Sequence, residues 1–583
     1  MKKNNIIKLF LIATFFTFSS CETIDLDQTE NPSTLSQDFI DPVYTFNYVQ
    51  LQLPDFVNSA NSFTQRVTRQ MAMTGGNSYD NAFEPVNFND NWSTGYKILN
   101  AIKIMEPKAL SSKKYYELGA AKVIRCYVLL TLVDMYGDIP YTEALLGNDN
   151  ITPKFDSSAS VYRGILTELD QAITVLSDPL DASSSTVDLY YGGKANWITL
   201  AKTLKLKMYV TAKNASADIN VPDLGAAIST IISSGDYIDS PAKDFAFKYG
   251  NSRNLPNTRH PLYNDQYELG GGAYIANYIV WAMSTEKDNW TTSVTDAGLN
   301  DPRLHFYFYK QDPDPSDYNT DTFTLPGRAR PAHYNENQYA SFYDNTILTS
   351  YVVPNWIGRT TSVPANGFWG RDHGDSSGIP PDADKRTVGG VYPIGGAYGA
   401  AGSVQTSGTM GAKGAGIMPM ILSSYVKFLI AEASLTVPGF IDATRARTSF
   451  QQGIDESIEK VTNFNAEYIA TKIRPAQVTA LNSNKTAYRN YMLAKYDGLS
   501  SDDERLEIII KEYFIAAWGN GIEPYNNYRR TGYPSNLQPT IIASSSPYFY
   551  TAYYPASVVN NNPNMPNNVR TRRLFCDANL TLQ

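Results

Sequence analysis

The chain has 583 residues, a formal net charge of −8 and 41 tyrosines. That length can bury a large core, and by length alone it suggests two to four domains. The acidic balance and the lack of any Lys/Arg-rich tract exclude nucleic acid as an expected partner.

The first twenty residues read as a secretory leader. Lys2 and Lys3 form its positive end, and Ile6 to Phe18 is an apolar stretch too short to serve as a mature membrane anchor. In Phe18-Ser19-Ser20-Cys21, small residues stand directly before a cysteine, as in lipoprotein processing sites. Cys21 is therefore expected to become an acylated N-terminus, with ordinary leader cleavage as the alternative. Of the two other cysteines, Cys126 and Cys576 read as free core thiols, a disulfide between them being the alternative.

Residues 36–107 predict two helical regions around a loop, Met73–Asp90, rich in asparagine and aromatics. Next comes Leu118–Tyr141, LGAAKVIRCYVLLTLVDMYGDIPY, the stretch around which the rest is expected to pack. Ala120, Ala121, Ile124, Tyr127, Val128, Leu132 and Met135 keep the spacing of one helical face, and Val123, Leu129, Leu130 and Val133 fill much of the remainder. Lys122, Arg125 and Asp134 would each cost about 2.5–3.5 kcal/mol near a bilayer centre. The stretch thus predicts a central helix buried among other helices, its few charges paired or snorkelling. Gly137 and Pro140 are its stop signal.

After the linker Gly147–Lys154, Val161, Ile165, Leu169, Ile173 and Leu176 form the stripe of an amphipathic helix, with Asp156 or Ser158 as N-cap. Asp188–Lys213 predicts a helix from about Lys194, with Trp197, Leu200, Ala201, Leu204 and Met208 inward. Its lysines, Lys202, Lys205, Lys207 and Lys213, read as a solvated face. From about residue 243 to 416, Pro, Gly, Asn and Asp become dense and helical periodicity mostly disappears, ending in the glycine-rich tract Gly389–Gly416. Tyr274 to Trp281 is apolar enough to be packed. A loop-rich insertion of this length is usually functional. Helices are predicted to resume over Ile417–Thr436, then around Phe450, Ile454, Ile458 and Val461. A further helix follows the capping-box pattern Ser501–Glu504, through Leu506, Ile509, Ile510, Tyr513, Phe514 and Ala517. Gly519–Pro534 then leads to an Asn/Pro-rich end. Paired amphipathic helices suggest helical-hairpin repeats without a strict period.

Several stretches, in this order, carry a family resemblance: LGAAKVIRCYVLLTLVDMYGDIPYTEAL, DLYYGGKANW, AGLNDPRLHFY (Ala297–Tyr307), FWGRDHGDSSG (Phe368–Gly378), VYPIGG (Val391–Gly396), SYVKFLIAEASL (Ser424–Leu435) and WGNGIEPYNNYRRTGYP (Trp518–Pro534). Together they resemble the SusD/RagB family of Bacteroidetes outer-membrane lipoproteins, closest to the branch named for starch-binding proteins associated with the outer membrane. The resemblance implies a mainly α fold, a tetratricopeptide-like helical-hairpin scaffold carrying a large irregular ligand-binding region. On that reading, leader 1–20 precedes one domain, 21–583, with scaffold at about 36–242 and 417–530 and ligand-binding region at about 243–416. It also implies a partner, a TonB-dependent, SusC-like outer-membrane barrel over which the lipoprotein sits as a lid. Glu22, Asp25 and Asp27 resemble the surface-export signal of Bacteroidetes lipoproteins, so the lipid-held protein is expected on the outer membrane, facing the exterior.

Catalytic and metal motifs do not hold up. Gly374-Asp375-Ser376-Ser377-Gly378 matches G-x-S-x-G but lacks the preceding apolar strand and following helix that strain the serine. Asp312-x-Asp314-x-Ser316 opens like a calcium loop, yet Asp317 and Phe323 stand where Gly and Glu are needed, leaving only a looser structural calcium site as an option. His260, His305, His333 and His373 show no zinc spacing. Neither an enzyme nor a resident cofactor is expected. Family motifs at Gly137–Pro140, Pro302–Arg303 and Arg529–Arg530 read as a helix stop, turns or packing salt bridges.

Binding chemistry is expected from aromatics in irregular segments. A pyranose stacks its C–H face on Trp or Tyr while Asn, Asp and Arg bond its hydroxyls, and a peptide can use similar groups. The candidates are Tyr79, Asn81 and Phe83 in the first loop, with Trp290, Trp356, Trp369 and Arg371 in the insertion. Trp92, Trp197, Trp281 and Trp518 are assigned to the core. The expected function is capture of a glycan, with oligopeptide capture, a surface glycoside hydrolase and a structural subunit of the barrel complex as alternatives.

Overall fold

The computed structural model describes residues 40–74, 77–183, 187–270, 273–283, 301–311, 370–371, 373–374, 386–399, 406–473, 475–540, 548–578, 580 and 582. The fold is mainly α. Helix α1 (Pro42–Val67) starts on Asp41, whose carboxylate accepts the Val43 N–H at 2.7 Å, with Pro42 at the first position where no N–H is needed. It buries Phe46, Val49, Leu53, Phe56, Val57, Ala60, Phe63 and Val67. Then follow α2 (Asn89–Ser111), α3 (Tyr115–Tyr136), α4 (Ser158–Leu176), α5 (Lys194–Thr211) and α6 (Leu224–Ser234), successive helices packing on one another.

Helix α3 is the expected central post. It touches α1, α2, α4 and α5, and only Tyr115 and Arg125 escape full burial. Its charges are paired: Lys122 with Glu106 at 2.5 Å, Arg125 with Glu168 at 2.8 Å, and Asp134 accepting from Tyr162 Oη at 2.5 Å and Asn526 Nδ2 at 2.6 Å. Gly137 ends the helix at φ 77°, where a side chain would be strained.

The irregular region hangs on two small antiparallel ladders. β1 (Phe245–Lys248) pairs with β4 (Ile417–Ile421), and β2 (Phe308–Tyr309) with β3 (Val388–Gly389), while every residue of α7 (Asn277–Met283) is buried. Five longer helices follow, α8 (Ser423–Thr436), α9 (Ala443–Thr462), α10 (Pro475–Asp497), α11 (Asp502–Ala516) and α12 (Ile522–Thr531), and a short helix, Ala556–Asn561, lies in the C-terminal segment. Among the described residues no helix is long and apolar enough to cross a membrane. Ser501 and Glu504 form the expected capping box, Cys126 and Cys576 are buried and free, and Trp92, Trp197, Trp281 and Trp518 are all buried.

Three expectations are corrected. Ile417–Ile421 is a strand rather than the start of a helix: Pro419 has no N–H to donate, β1 offers a pairing edge, and α8 begins only after Leu422 in an extended conformation. The N-cap of α4 is Ser157, because the Asp156 carboxylate already accepts the N–H groups of Tyr141 and Thr142 at 3.0 and 2.8 Å. The α5 lysines are not one solvated face. Lys202 and Lys205 reach Asp236 and Asp170 near the surface, but Lys207 and Lys213 are sequestered against Glu523 and Glu432. Helix α10 has no counterpart in the sequence reading, since only Asn484, Tyr488, Met492, Leu493 and Tyr496 of its 23 residues are buried.

Helix α12 is the least exposed polar element among the described residues, with Ile522 through Arg530 all buried. Glu523 pairs with Lys207 of α5 and accepts from Tyr513 Oη at 2.7 Å, while Asn526 reaches Asp134 of α3. Arg530 grips Glu432 of α8 in a two-point fork, both contacts at 2.7 Å, and Lys213 meets the same carboxylate at 2.9 Å. Arg303 of the insertion is held in the same manner by Asp301 at 2.6 Å and Glu512 at 2.9 Å. The Pro302–Arg303 and Arg529–Arg530 motifs are thus packing contacts.

Burial alone would raise the Glu432 carboxyl, but Arg530 and Lys213 outweigh it and hold it at about 2, against an ordinary 4.5. A depressed carboxylate adds stability above its unfolded value and loses it as pH falls through the folded one. Chemical denaturation should therefore show part of the stability of the protein disappearing between about pH 4.5 and about pH 2, and Glu432→Gln should flatten that part of the profile. Glu432→Ala should cost about 3–5 kcal/mol, because it strands two buried cations. An unchanged acid profile in Glu432→Gln would remove Glu432 as its source.

A candidate ligand-binding cleft along the first helix

Two cavities, of about 230 and 270 Å³, share Ser62, Arg66 and Thr74 as a common wall. The first lies between the C-terminal half of α1 and the irregular region. Its apolar lining is Met71, Tyr274, Pro393, Ile394, Met418 and Trp518; its polar lining includes Asn58, Gln65, Arg66, His260 and Asp265. The second is bounded by Phe63, Phe83, Phe88, Asn77, Asn87 and Asn91, among others.

The position of α1 is fixed at the cleft by the turn just before α12. Asn61 Nδ2 donates to Gly519 O at 3.0 Å, and its Oδ1 accepts the Gly521 N–H at 2.9 Å. Gly521 lies so close that an added Cβ would stand 2.4 Å from Gln65 N, so only glycine allows the approach. Trp518 packs on Phe308 and Tyr307, with ring centroids 5.0 and 6.2 Å away, which ties the cleft floor to β2.

The polar groups have defined roles. His260 Nδ1 accepts the Leu262 N–H at 3.1 Å, so the ring proton belongs on Nε2, which finds no partner among the described residues. Burial pushes the imidazole down to about 3, so the ring is a neutral donor. Arg66 spends one N–H on Ser62 O at 2.6 Å and keeps the rest of its fork. The Asp265 carboxylate makes no hydrogen bond or ion pair among the described residues. Its burial raises its pKa against the pull of Arg386 and Arg66. Convergent donors and acceptors over an apolar floor suit a neutral, hydroxyl-rich ligand. Asp265 is the one carboxylate among the described residues lining the two cavities, whereas glycoside hydrolysis requires a facing pair.

The residues expected from sequence fall in different places. Phe83 is half-buried and lines the second cavity, edge-on to Phe63 and Phe549 at 5.0 and 5.6 Å. Asn81 is exposed and its Oδ1 accepts the Ser78 N–H at 2.8 Å, closing its own turn. Tyr79 is buried behind that wall, its Oη 3.2 Å from His373 Nε2. Arg371 is buried one layer back, its guanidinium 4.9 Å from the centroid of the Tyr274 ring. Trp290, Trp356, Trp369 and Cys21 lie outside the described residues, as do Asp312–Phe323 and Asp375–Gly378. Among the described residues no cluster of three or more His, Cys, Asp or Glu could hold a metal ion.

Sequence reading missed Asn58, Gln65, Arg66, His260 and Asp265. The α1 residues carried a signal: Asn58, Ser62, Gln65 and Arg66 keep helical spacing, a polar stripe on a helix otherwise apolar toward the core. His260 and Asp265 had none, being single residues in irregular chain.

Family profiles agree with the fold. Residues 32–349 match the SusD-like profile described as starch-binding associating with outer membrane, and residues 401–571 match that of SusD and RagB outer membrane lipoproteins. The chain belongs to the SusD-like family. Solved SusD-like structures share its architecture. A chitin-binding SusD homolog from Flavobacterium johnsoniae is 15% identical, covering 93% of this chain and 98% of its own, with a TM-score of 0.59. A SusD homolog from Bacteroides uniformis is 18% identical, with coverages of 92% and 100% and a TM-score of 0.59. Another from Bacteroides fragilis is 18% identical, with coverages of 90% and 98% and a TM-score of 0.59. At these identities the likeness is one of fold. A search of curated proteins gives no match.

The His260 ring should stay neutral down to about pH 4, its midpoint lying near the folded value of about 3. NMR titration of its ring protons, assigned with His260→Gln, checks this. A midpoint near 6.5 would mean that the ring is solvated and not the fixed donor described.

Proposed function

We propose that this SusD-like protein is acylated at Cys21, faces the exterior of the outer membrane, and captures a glycan for a TonB-dependent, SusC-like barrel. The cleft beside α1 carries this reading. Its floor of Tyr274, Trp518, Met71 and Ile394 matches the apolar face of a sugar, and Arg66, His260, Asp265, Asn58 and Gln65 match its hydroxyls. The chitin-binding homolog from Flavobacterium johnsoniae, on the same fold, adds support. Binding and release are the whole task; the protein hands the ligand on unchanged.

Calorimetry on residues 22–583 with chitin and starch oligosaccharides tests the proposal. One series should bind, without product. Arg66→Ala and Asp265→Ala should each weaken binding about tenfold or more, roughly 1.4 kcal/mol. Unaltered affinity in both variants would move the site away from this cleft. Heat with a peptide pool alone would replace the sugar by an oligopeptide, and cleavage lost on a carboxylate substitution would make the protein a hydrolase.

A further inference from the structure

The outer face of α1 does not end at the cleft. Tyr44, Tyr48, Leu51, Asp55, Asn58, Ser62 and Arg66 succeed one another at steps of three or four residues, so they lie along one face of the helix. The C-terminal three line the cavity; the N-terminal three are large apolar side chains turned to solvent. Tyr44 is 75% exposed, Tyr48 42% and Leu51 53%. A soluble helix normally turns such residues inward, and this one already buries a full apolar stripe on its other side.

A second row of rings runs beside this face and reaches the same cavity. Tyr190 donates its hydroxyl to Gln50 O of α1 at 3.1 Å, and its ring lies 5.9 Å from Phe247. Phe247 meets Tyr249 edge-on at 5.0 Å, and Tyr249 meets His260, a wall of the cavity, at 4.9 Å. Tyr190, Phe247 and Tyr249 are half-buried, the Tyr249 hydroxyl lying inside. The Tyr190–Gln50 hydrogen bond holds this end of the ring row against the helix. Along the helix face only Asp55 and Arg66 are charged, one of each sign.

We infer that these two rows form a track that continues the cleft, on which an extended, uncharged polysaccharide lies with several of its sugar rings outside the cavity. From Tyr44 to Arg66 the helix spans about 33 Å. The cavity of about 230 Å³ is below the usual range for a drug-sized ligand, so it takes the end of a chain or a short stretch of it. The exposed Tyr44 and Tyr48 suit the rest, each offering an apolar ring face with a hydroxyl at its edge, and the opposite signs of Asp55 and Arg66 on the helix face favour a neutral polymer over a uronic or sulfated one. The ligand class becomes a linear polymer rather than a free short sugar. This rests on the glycan reading of the cleft.

The test compares a disaccharide with an octasaccharide of N-acetylglucosamine and of maltose, on the wild-type protein and on a Tyr44→Ala, Tyr48→Ala, Leu51→Ala variant. The replaced side chains are exposed, so the fold should persist, and a matching thermal transition checks it. In one series the wild type should bind the octasaccharide about tenfold or more tightly than the disaccharide, and the variant should lose that gain while binding the disaccharide as before. A length gain that survives in the variant, or no gain in the wild type, overturns the track and leaves the cleft reading intact. Failure of both lengths in both series overturns the glycan reading and the track with it. Loss of co-purification with the barrel, with the length gain intact, overturns the track and assigns this face to the barrel.

Discussion

The constraint on which the rest depends is the burial of charge around α12. Glu523 and Arg530 are ionisable groups with almost no exposure, and each is held by a partner from a distant part of the sequence: Lys207 from α5 and Glu432 from α8. An isolated buried charge is costly, so each partner must be in place for the others to be tolerated. Asn526 extends the arrangement to Asp134 on the central post α3, which is itself bonded to Tyr162 of α4. One short helix thereby sets the relative positions of α3, α5 and α8. Hydrophobic packing supplies the bulk of the stability, but it is non-directional. The charged contacts choose among packings.

That choice reaches the cleft through a few residues. Asn61 on α1 bonds the turn just before α12, and Gly521 lets the two backbones approach. The opposite wall belongs to irregular chain, which cannot hold itself in place. It is pinned by the β1–β4 ladder, by Arg303 against Asp301 and Glu512, and by Tyr278 of α7, whose hydroxyl meets Lys511 at 2.7 Å. Helices give the rigidity and loops give the chemistry, and the site forms where the two meet.

The described polar groups of the cleft are fixed donors and acceptors over an apolar floor. Asp265 stands without a second carboxylate among the described lining residues, and His260 is kept neutral and locked by a backbone N–H, so it serves as a fixed donor. Such groups recognise hydroxyls in a set orientation over a hydrophobic floor.

The sequence by itself determined the helical architecture. The period of apolar residues in α3, α4 and α9, the Gly137 stop and the Ser501–Glu504 capping box are local features, and local physics decides them. Phe83 was legible for a related reason, as an aromatic in a loop between two clear helices. The tertiary structure alone decided what the polar residues do. Lys207 and Lys213 look like surface lysines, and their burial depends on Glu523 and Glu432, hundreds of residues away along the chain. Ile417–Ile421 reads as a helix start until β1 is there to pair with it. Arg66, His260 and Asp265 come from separate segments and carry no shared spacing. Charge pairing, strand pairing and cavity walls are non-local contacts, and a one-dimensional pattern records a residue's type but not its partner.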